Sequence, residues 1–146
     1  MLIQQIKVGF MEVFCYILGC EATQKGLLID PAGDEERIMD AAESLGLAIE
    51  SVVNTHGHPD HVEAVQLFEQ PTRVAISQED GNFMKEVKSP YLKIAGLDDF
   101  EPDFFLQEGW LNVGSETFQV ILTPGHSPGS VCLYWPEQKA LFSGDV

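Results

Sequence analysis

The first part of the chain alternates between short apolar runs typical of strands and a spacing typical of helices. Five apolar or β-branched runs predict strands, at Leu2–Val8, Val13–Leu18, Lys25–Asp30, Ile49–Thr55 and Arg73–Ser77. Between the third and fourth strands, apolar residues recur at helical spacing, at Ile38, Ala41, Ala42 and Leu45. Asp34 is the predicted N-cap of this helix and Gly46 its predicted end. The pattern therefore predicts a helix with one buried stripe.

The rest of the chain predicts two more helices and then mostly strands. One helix runs from His61 towards Glu69, and Ser77 with Asp80 resembles a capping box that opens the other, which contains Phe83, Met84 and Val87. The acidic stretch Asp98–Glu108 has no clean period and is expected to be an exposed loop or a segment that covers the fold. Four strands are predicted after it, at Trp110–Val113, Thr117–Thr123, Ser130–Trp135 and Ala140–Ser143. This order predicts an α/β layered fold in which helices pack on a mixed sheet.

Length and charge narrow the function classes. The 146 residues amount to one domain, predicted as 1–146, and 45% of them are hydrophobic, enough for a real core. Eight basic residues against 23 acidic ones give a net charge of −15. A field of that sign repels phosphate backbones and anionic lipid surfaces. Neither nucleic acid nor a membrane surface is therefore an expected partner.

The N-terminus and the cysteines favour a cytoplasmic location. No basic segment leads into an apolar one at the N-terminus, so a signal peptide is not expected. The longest apolar run, Val13–Cys20, is too short to cross a membrane. The three cysteines, Cys15, Cys20 and Cys132, are odd in number and form no CxxC pair. A disulfide framework is therefore not expected, which favours a reducing compartment.

Three of the four histidines lie within six residues, in the sequence Asn54-Thr55-His56-Gly57-His58-Pro59-Asp60-His61. The cluster follows a predicted strand and precedes a predicted helix, where side chains meet at the carboxyl edge of a sheet. Imidazole and carboxylate are ligands for zinc, iron or manganese. We expect His56 and His58 to bind one ion and Asp60 with His61 to serve a second. Two ions about 3.5–4 Å apart could hold a bridging hydroxide as the nucleophile.

The fourth histidine and a late aspartate extend this candidate site. His126 lies in a second Gly/Pro loop after a predicted strand, in Thr123-Pro124-Gly125-His126-Ser127-Pro128-Gly129-Ser130, and is expected to be a third ligand of the first metal. Asp145 follows Ser143-Gly144 at a strand end, which by itself is typical of a turn. As a carboxylate between two metals it would complete the set.

These motifs together resemble the metallo-β-lactamase superfamily. The HxHxDH signature is His56-Gly57-His58-Pro59-Asp60-His61, and the third-histidine and bridging-aspartate motifs follow in the family's order as TPGHSPGS and FSGD. Leu28-Ile29-Asp30-Pro31-Ala32-Gly33 resembles the family's IDPG strand end. Within the superfamily, the chain is more similar to glyoxalase II-like hydrolases than to true β-lactamases.

The resemblance implies an αββα sandwich with a metal site at one sheet edge, of which this chain would hold the N-terminal and central portion. It implies His56, His58 and His126 on one metal, Asp60 and His61 on the other, and Asp145 between them. The implied reaction is hydrolysis of a thioester or related acyl compound, such as a glutathione conjugate, by a metal-bound hydroxide that Asp60 helps to orient. The implied cofactor is one or two zinc ions, with iron or manganese as alternatives.

Departures from the family pattern leave two alternatives open. No histidine follows His126 to complete the second metal site, and Ser130 stands where glyoxalase II usually has a histidine. One alternative is an iron-dependent persulfide dioxygenase, with a single iron on His56, His126 and Asp145. The other is a non-catalytic metal-binding module, in which an open sheet edge would favour a homo-oligomer.

Overall fold

The chain forms two facing β-sheets with helices on the outer face of the larger one. The computed structural model describes residues 2–9, 12–57, 72–86 and 101–144. The larger sheet has six strands, in spatial order β1-β2-β3-β4-β5-β6: β1 Leu2–Val8, β2 Val13–Cys20, β3 Lys25–Ile29, β4 Ala48–Val53, β5 Arg73–Ser77 and β6 Phe104–Leu106. The smaller has four, in order β10-β9-β8-β7: β7 Gly109–Val113, β8 Glu116–Leu122, β9 Val131–Trp135 and β10 Ala140–Phe142. The α-helices of the described ranges are α1 Glu35–Ser44 and α2 Gln78–Glu86, and a 3-10 turn spans Pro136–Gln138.

The six-stranded sheet is mixed, as the order of elements predicts. Strands β1 to β3 are antiparallel to one another, whereas β3 to β6 run parallel. Parallel strands need crossover connections on a face of the sheet, and α1 joins β3 to β4 in this way. The carboxyl ends of β3, β4 and β5 therefore meet at a single edge, which is where a ligand site is expected in such sheets.

The central strands β3, β4 and β5 of the larger sheet are buried on both faces along most of their length, which explains their continuous apolar runs. Leu28, Val52 and Ile76 point into a core beside the helices, whereas their chain neighbours Leu27, Val53 and Ala75 point into a second core between the sheets. Phe118, Leu133 and Trp135 of the smaller sheet fill that second core and are 1% exposed or less. The resulting layers of helix, sheet and sheet agree with the α/β sandwich that the resemblance implies.

Most predicted elements are confirmed with small changes of boundary, and two predictions are corrected. Asp34 is not a side-chain cap of α1: its φ is 53°, and its carboxylate instead accepts a hydrogen bond from Gly9 N at 3.1 Å in the β1–β2 turn. The stretch predicted as an exposed loop includes β6, which pairs with β5. Asp103 extends this pairing, because its Oδ2 accepts from Val74 N at 2.7 Å. The helix predicted from His61 to Glu69 lies outside the described residues.

The helices of the described ranges are too short and polar to cross a membrane. All three cysteines are buried and free. Cys15 lies in the core beside α1, where burial and, to a lesser degree, the charge of Asp30 raise the pKa of its thiol. Hydrogen bonding with Ser115 and Thr23 instead lowers the pKa of Cys20 to about 7.

Candidate metal centre

The two histidines that the structure describes come together at the carboxyl edge of the parallel strands. His56 follows β4 and is 1% exposed, and His126 lies in the exposed loop between β8 and β9. Their ring centroids are 4.8 Å apart, with an angle of 80° between the ring planes. Seventy residues of chain separate the two positions, so the fold brings together two residues that the sequence could connect only by hypothesis.

The other predicted ligands, His58, Asp60, His61 and Asp145, lie outside the described residues. Within the described ranges, which hold only His56 and His126 of the predicted set, no group of three His, Cys, Asp or Glu side chains is arranged to bind a metal. The assignment of His58, Asp60, His61 and Asp145 to a metal therefore stays a prediction.

The geometry of the histidine pair fits a shared metal ion. A ring nitrogen about 2.0–2.1 Å from zinc places the ring centre about 3.2 Å from the ion, so two rings at a tetrahedral angle lie about 5 Å apart. The observed 4.8 Å agrees with that separation. Imidazole is also the commonest metal ligand among protein side chains. The pair is thus suited to an ion in both chemistry and distance.

A buried hydrogen-bond chain fixes the ring of His56. Asp30, at the end of β3, accepts two bonds from Thr55: from the backbone N to Oδ1 and from Oγ1 to Oδ2, both 2.7 Å long. Thr55 Oγ1 also lies 3.1 Å from Nδ1 of His56. The hydroxyl has one proton, which it donates to the Asp30 carboxylate, so it can only accept from the ring nitrogen.

This arrangement selects one tautomer of His56. Nδ1 carries the proton that Thr55 Oγ1 accepts, so the lone pair of a neutral ring is on Nε2, the atom that can bind a metal. Ligand histidines commonly donate their second ring N–H to an oxygen in this way, which raises ligand basicity and fixes ring orientation. Asp30 has φ of 53°, a left-handed conformation rare for residues other than glycine and often found at functional sites.

Two contacts join the smaller sheet to this chain of hydrogen bonds. Val131 N, at the start of β9, donates to Thr55 O at 2.8 Å. Gly144, which has φ of 59°, packs against Thr55 so closely that a Cβ there would be 2.5 Å from Oγ1. Gly144 therefore lies against Thr55, the residue that precedes His56 in the chain.

A second buried acid contacts both ligand-bearing loops. Asp80, in the first turn of α2, is 0% exposed. Its Oδ2 accepts from Gly57 N at 2.7 Å and from Ser127 Oγ at 2.6 Å, and its Oδ1 accepts from Gly129 N at 2.7 Å. The sequence motif predicts only a helix cap here, and the capping half is confirmed because Ser77 Oγ accepts from Asp80 N at 3.2 Å.

Sequence reasoning missed three residues of this site: Asp30, Thr55 and Asp80. The IDPG-like strand end marks Asp30, and the capping box marks Asp80, but neither pattern reveals which backbone groups the carboxylate contacts. Thr55 adjoins the histidine cluster and reads only as the end of a strand. Their roles depend on partners 23 to 49 positions away along the chain.

Comparison with known proteins shows similarity along nearly the whole chain. The family model described as the metallo-beta-lactamase superfamily matches residues 8–146. The hydroxyacylglutathione hydrolase GloC of Haemophilus influenzae is 34% identical over 128 residues, which cover 82% of this chain and 59% of that relative. The chain thus spans less than two thirds of the length of that curated relative.

Solved structures share the fold. The BLEG-1 B3 metallo-beta-lactamase superposes with a TM-score of 0.81 at 26% identity, covering 97% of this chain and 71% of that one. The protein TTHA1623, solved in a di-iron-bound form, gives 0.78 at 29% identity, covering 98% of this chain and 72% of that one.

Proposed function

This chain belongs to the metallo-β-lactamase superfamily, and from that premise we propose that it is a metal-dependent hydrolase of thioesters. The observation that carries the proposal is the His56–His126 ring pair, 4.8 Å apart at the carboxyl edge of the parallel strands. The relationship to a hydroxyacylglutathione hydrolase supports a small glutathione-linked acyl compound as the substrate class.

We assign His56, His58 and His126 to one metal, Asp60 and His61 to a second, and Asp145 to the position between them. The fit of the first and third histidines to a shared ion supports the first assignment. The close packing of Gly144 on Thr55 supports the last, since it brings the residue before Asp145 against the residue before His56. Zinc is the proposed metal, and the similarity to a di-iron protein makes iron the main alternative.

The metal would polarise the thioester carbonyl and lower the pKa of water, which supplies a nucleophile at neutral pH. Thr55 and Asp30 orient His56 for this chemistry. Thr55 holds the proton of His56 on Nδ1, which directs Nε2 towards the ion. The Asp30 carboxylate keeps the Thr55 hydroxyl in its accepting orientation through the 2.7 Å bond. Asp60 would orient the attacking water.

We also propose a reducing, cytoplasmic location. All three cysteines are free, and Cys15 and Cys20 are 2% exposed or less, as expected of thiols that serve as core residues.

Metal content measured together with activity tests the proposal. The protein is purified without chelator, its metals are quantified by elemental analysis, and release of glutathione from a hydroxyacylglutathione thioester is followed with a thiol reagent. About two equivalents of zinc with thiol release is the expected result. A single iron with oxygen uptake on glutathione persulfide would instead identify a dioxygenase. Binding of metal without either activity would identify a binding module.

Two histidine variants test the ligand assignment. His58→Ala is expected to abolish metal binding and thioester hydrolysis, and His126→Ala to weaken both. Asp34→Asn is a suitable control, because this exposed side chain accepts hydrogen bonds from Gly9 N at the β1–β2 turn and from Arg37 on α1. If His58→Ala retains the metal content of the unmodified protein, the assignment is wrong.

A further inference from the structure

The two described ligand loops belong to different sheets, so something must set their separation. His56 and Gly57 extend from β4 of the six-stranded sheet, whereas His126 and Gly129 lie between β8 and β9 of the four-stranded sheet. Two packed sheets can shift against each other without breaking their internal ladders. A tie between the loops would suppress such shifts at the point where the rings meet.

The carboxylate of Asp80 makes such a tie. One oxygen, Oδ2, accepts from Gly57 N in the first loop and Ser127 Oγ in the second, and Oδ1 accepts from Gly129 N in the second. The three bonds are 2.6–2.7 Å long, typical of charge-assisted hydrogen bonds. Because Asp80 is 0% exposed, water does not readily replace any of the three donors.

Steric fit supports the same conclusion independently. A Cβ on Gly57 would lie 2.7 Å from Met84 Cγ and 3.2 Å from Asp80 O. A Cβ on Gly129 would lie 2.7 Å from Asp80 N and 2.8 Å from Glu79 Cβ. Both loops therefore lie directly against the helix α2. A side chain at position 129 would overlap backbone of the helix, and one at position 57 would require Met84 to move.

We propose that Asp80 is a positioning residue of the metal centre, which sets the separation of the His56 and His126 rings by binding both ligand loops to the first turn of α2. Helix capping does not explain its side chain, because Ser77 Oγ already caps the Asp80 backbone N–H. The expected effect of Asp80 on metal binding rests on the proposed function. The hydrogen bonds from the two loops to Asp80 do not, because they form in the protein without metal.

The first experiment measures amide exchange in the metal-free protein by nuclear magnetic resonance. Asp80→Asn keeps the size of the side chain but replaces one acceptor oxygen with an NH2 donor. The Gly57 and Gly129 amides are expected to exchange about tenfold faster or more, since a bond to a charged acceptor is lost or weakened. Asp103→Asn is the matched control: its Oδ2 also accepts a backbone N–H of the same sheet, at Val74 near the start of β5.

The second experiment measures cobalt(II) binding and its visible spectrum. Asp80→Asn is expected to bind cobalt(II) about 10- to 100-fold more weakly, the range found when an outer hydrogen-bond partner of a metal site is removed. Its spectrum should also change, because the ring geometry changes. Asp103→Asn should lose stability but keep the affinity and the spectrum, and so separates positioning from a general loss of stability.

The outcomes distinguish this inference from the proposed function. Wild-type cobalt affinity and spectrum in Asp80→Asn would overturn the inference. If the unmodified protein binds no cobalt, the proposed function fails. The hydrogen bonds to Asp80 are tested separately: amide exchange at Gly57 and Gly129 that is unchanged in Asp80→Asn would overturn the tie between the loops. Should Asp80→Asn not fold, Ser127→Ala removes one of the three bonds and is expected to speed exchange at Gly129; no change there would contradict the proposal.

Discussion

Thr55→Val removes the hydroxyl that links Asp30 to His56 while keeping the shape of the side chain. The substitution deletes the 2.7 Å bond to Asp30 Oδ2 and the 3.1 Å contact with His56 Nδ1. The backbone bond from Thr55 N to Asp30 Oδ1 is retained. Both Thr55 and Asp30 are 3% exposed or less, so water cannot readily take the place of the hydroxyl.

The expected cost follows from the charge and burial of the acceptor. A hydrogen bond to a charged group contributes about 1.5–3 kcal/mol to the free energy of unfolding. At about 4 °C per kcal/mol for a domain of this size, the Tm is expected to fall by about 6–12 °C. Metal affinity is expected to fall about 10- to 100-fold, because the orientation and tautomer of His56 are no longer fixed.

The assay combines thermal unfolding of the metal-free protein with competitive titration of zinc. Thr55→Ser keeps the hydroxyl and should restore most of the zinc affinity. Thr72→Val is the control for loss of a threonine hydroxyl, since Thr72 Oγ1 donates to Ile49 O at 2.8 Å, away from the histidines. A Thr55→Val protein that binds zinc as tightly as the unmodified chain would refute the role given to this hydrogen-bond chain.

Two further predictions concern packing and pH. Gly129→Ala is expected to lower both the Tm and the zinc affinity, because its Cβ would lie 2.7 Å from the backbone N of Asp80. Gly81→Ala should lower neither, because its Cβ would meet the movable Phe105 ring at 3.2 Å and Ile76 Cγ2 at an ordinary 3.7 Å; equal effects of the two substitutions would contradict this. The pKa of Glu116 is raised mainly by burial, which outweighs the lowering effect of the hydrogen bond that Trp135 Nε1 donates to it. The folded state thus favours the protonated form of Glu116. The stabilisation that this gives is complete below the unfolded-state pKa and is lost as the pH rises through the folded-state pKa. Glu116→Gln should therefore gain Tm relative to the unmodified chain as the pH rises above about 4, the unfolded-state pKa of a glutamate; a difference that does not change with pH would count against it.

The sequence predicts elements well where local patterns and burial agree. The run Arg73–Ser77 forms β5 with the predicted bounds, because its apolar residues are buried on both faces. The Asp34 cap is wrong because a distant turn competes for the same carboxylate, which accepts from Gly9 N. Strand β6 is missed because three residues among many acids carry no period, and pairing with β5 alone makes them a strand.

In the candidate site, too, the sequence identifies some of the residues and not others. The scarcity and spacing of the histidines are enough to predict His56 and His126 as ligands, because few other residue patterns serve that chemistry. The groups that orient them could not be identified, since Asp30 and Asp80 act through backbone amides whose positions depend on the fold. The sequence does not show which group a given carboxylate contacts in the fold.

By itself, the sequence determined nine of the ten strands in the described residues, the places of α1 and α2, and the residue types able to bind a metal, because these follow from periodicity and side-chain chemistry. Only the tertiary structure decided that two rings seventy residues apart lie 4.8 Å from each other. It also decided that the short strand after Asp103 joins the larger sheet and that one buried carboxylate ties two sheets together. The physical reason is that hydrogen bonds and packing between distant segments have no local signature, and exist only once burial has brought those segments into contact.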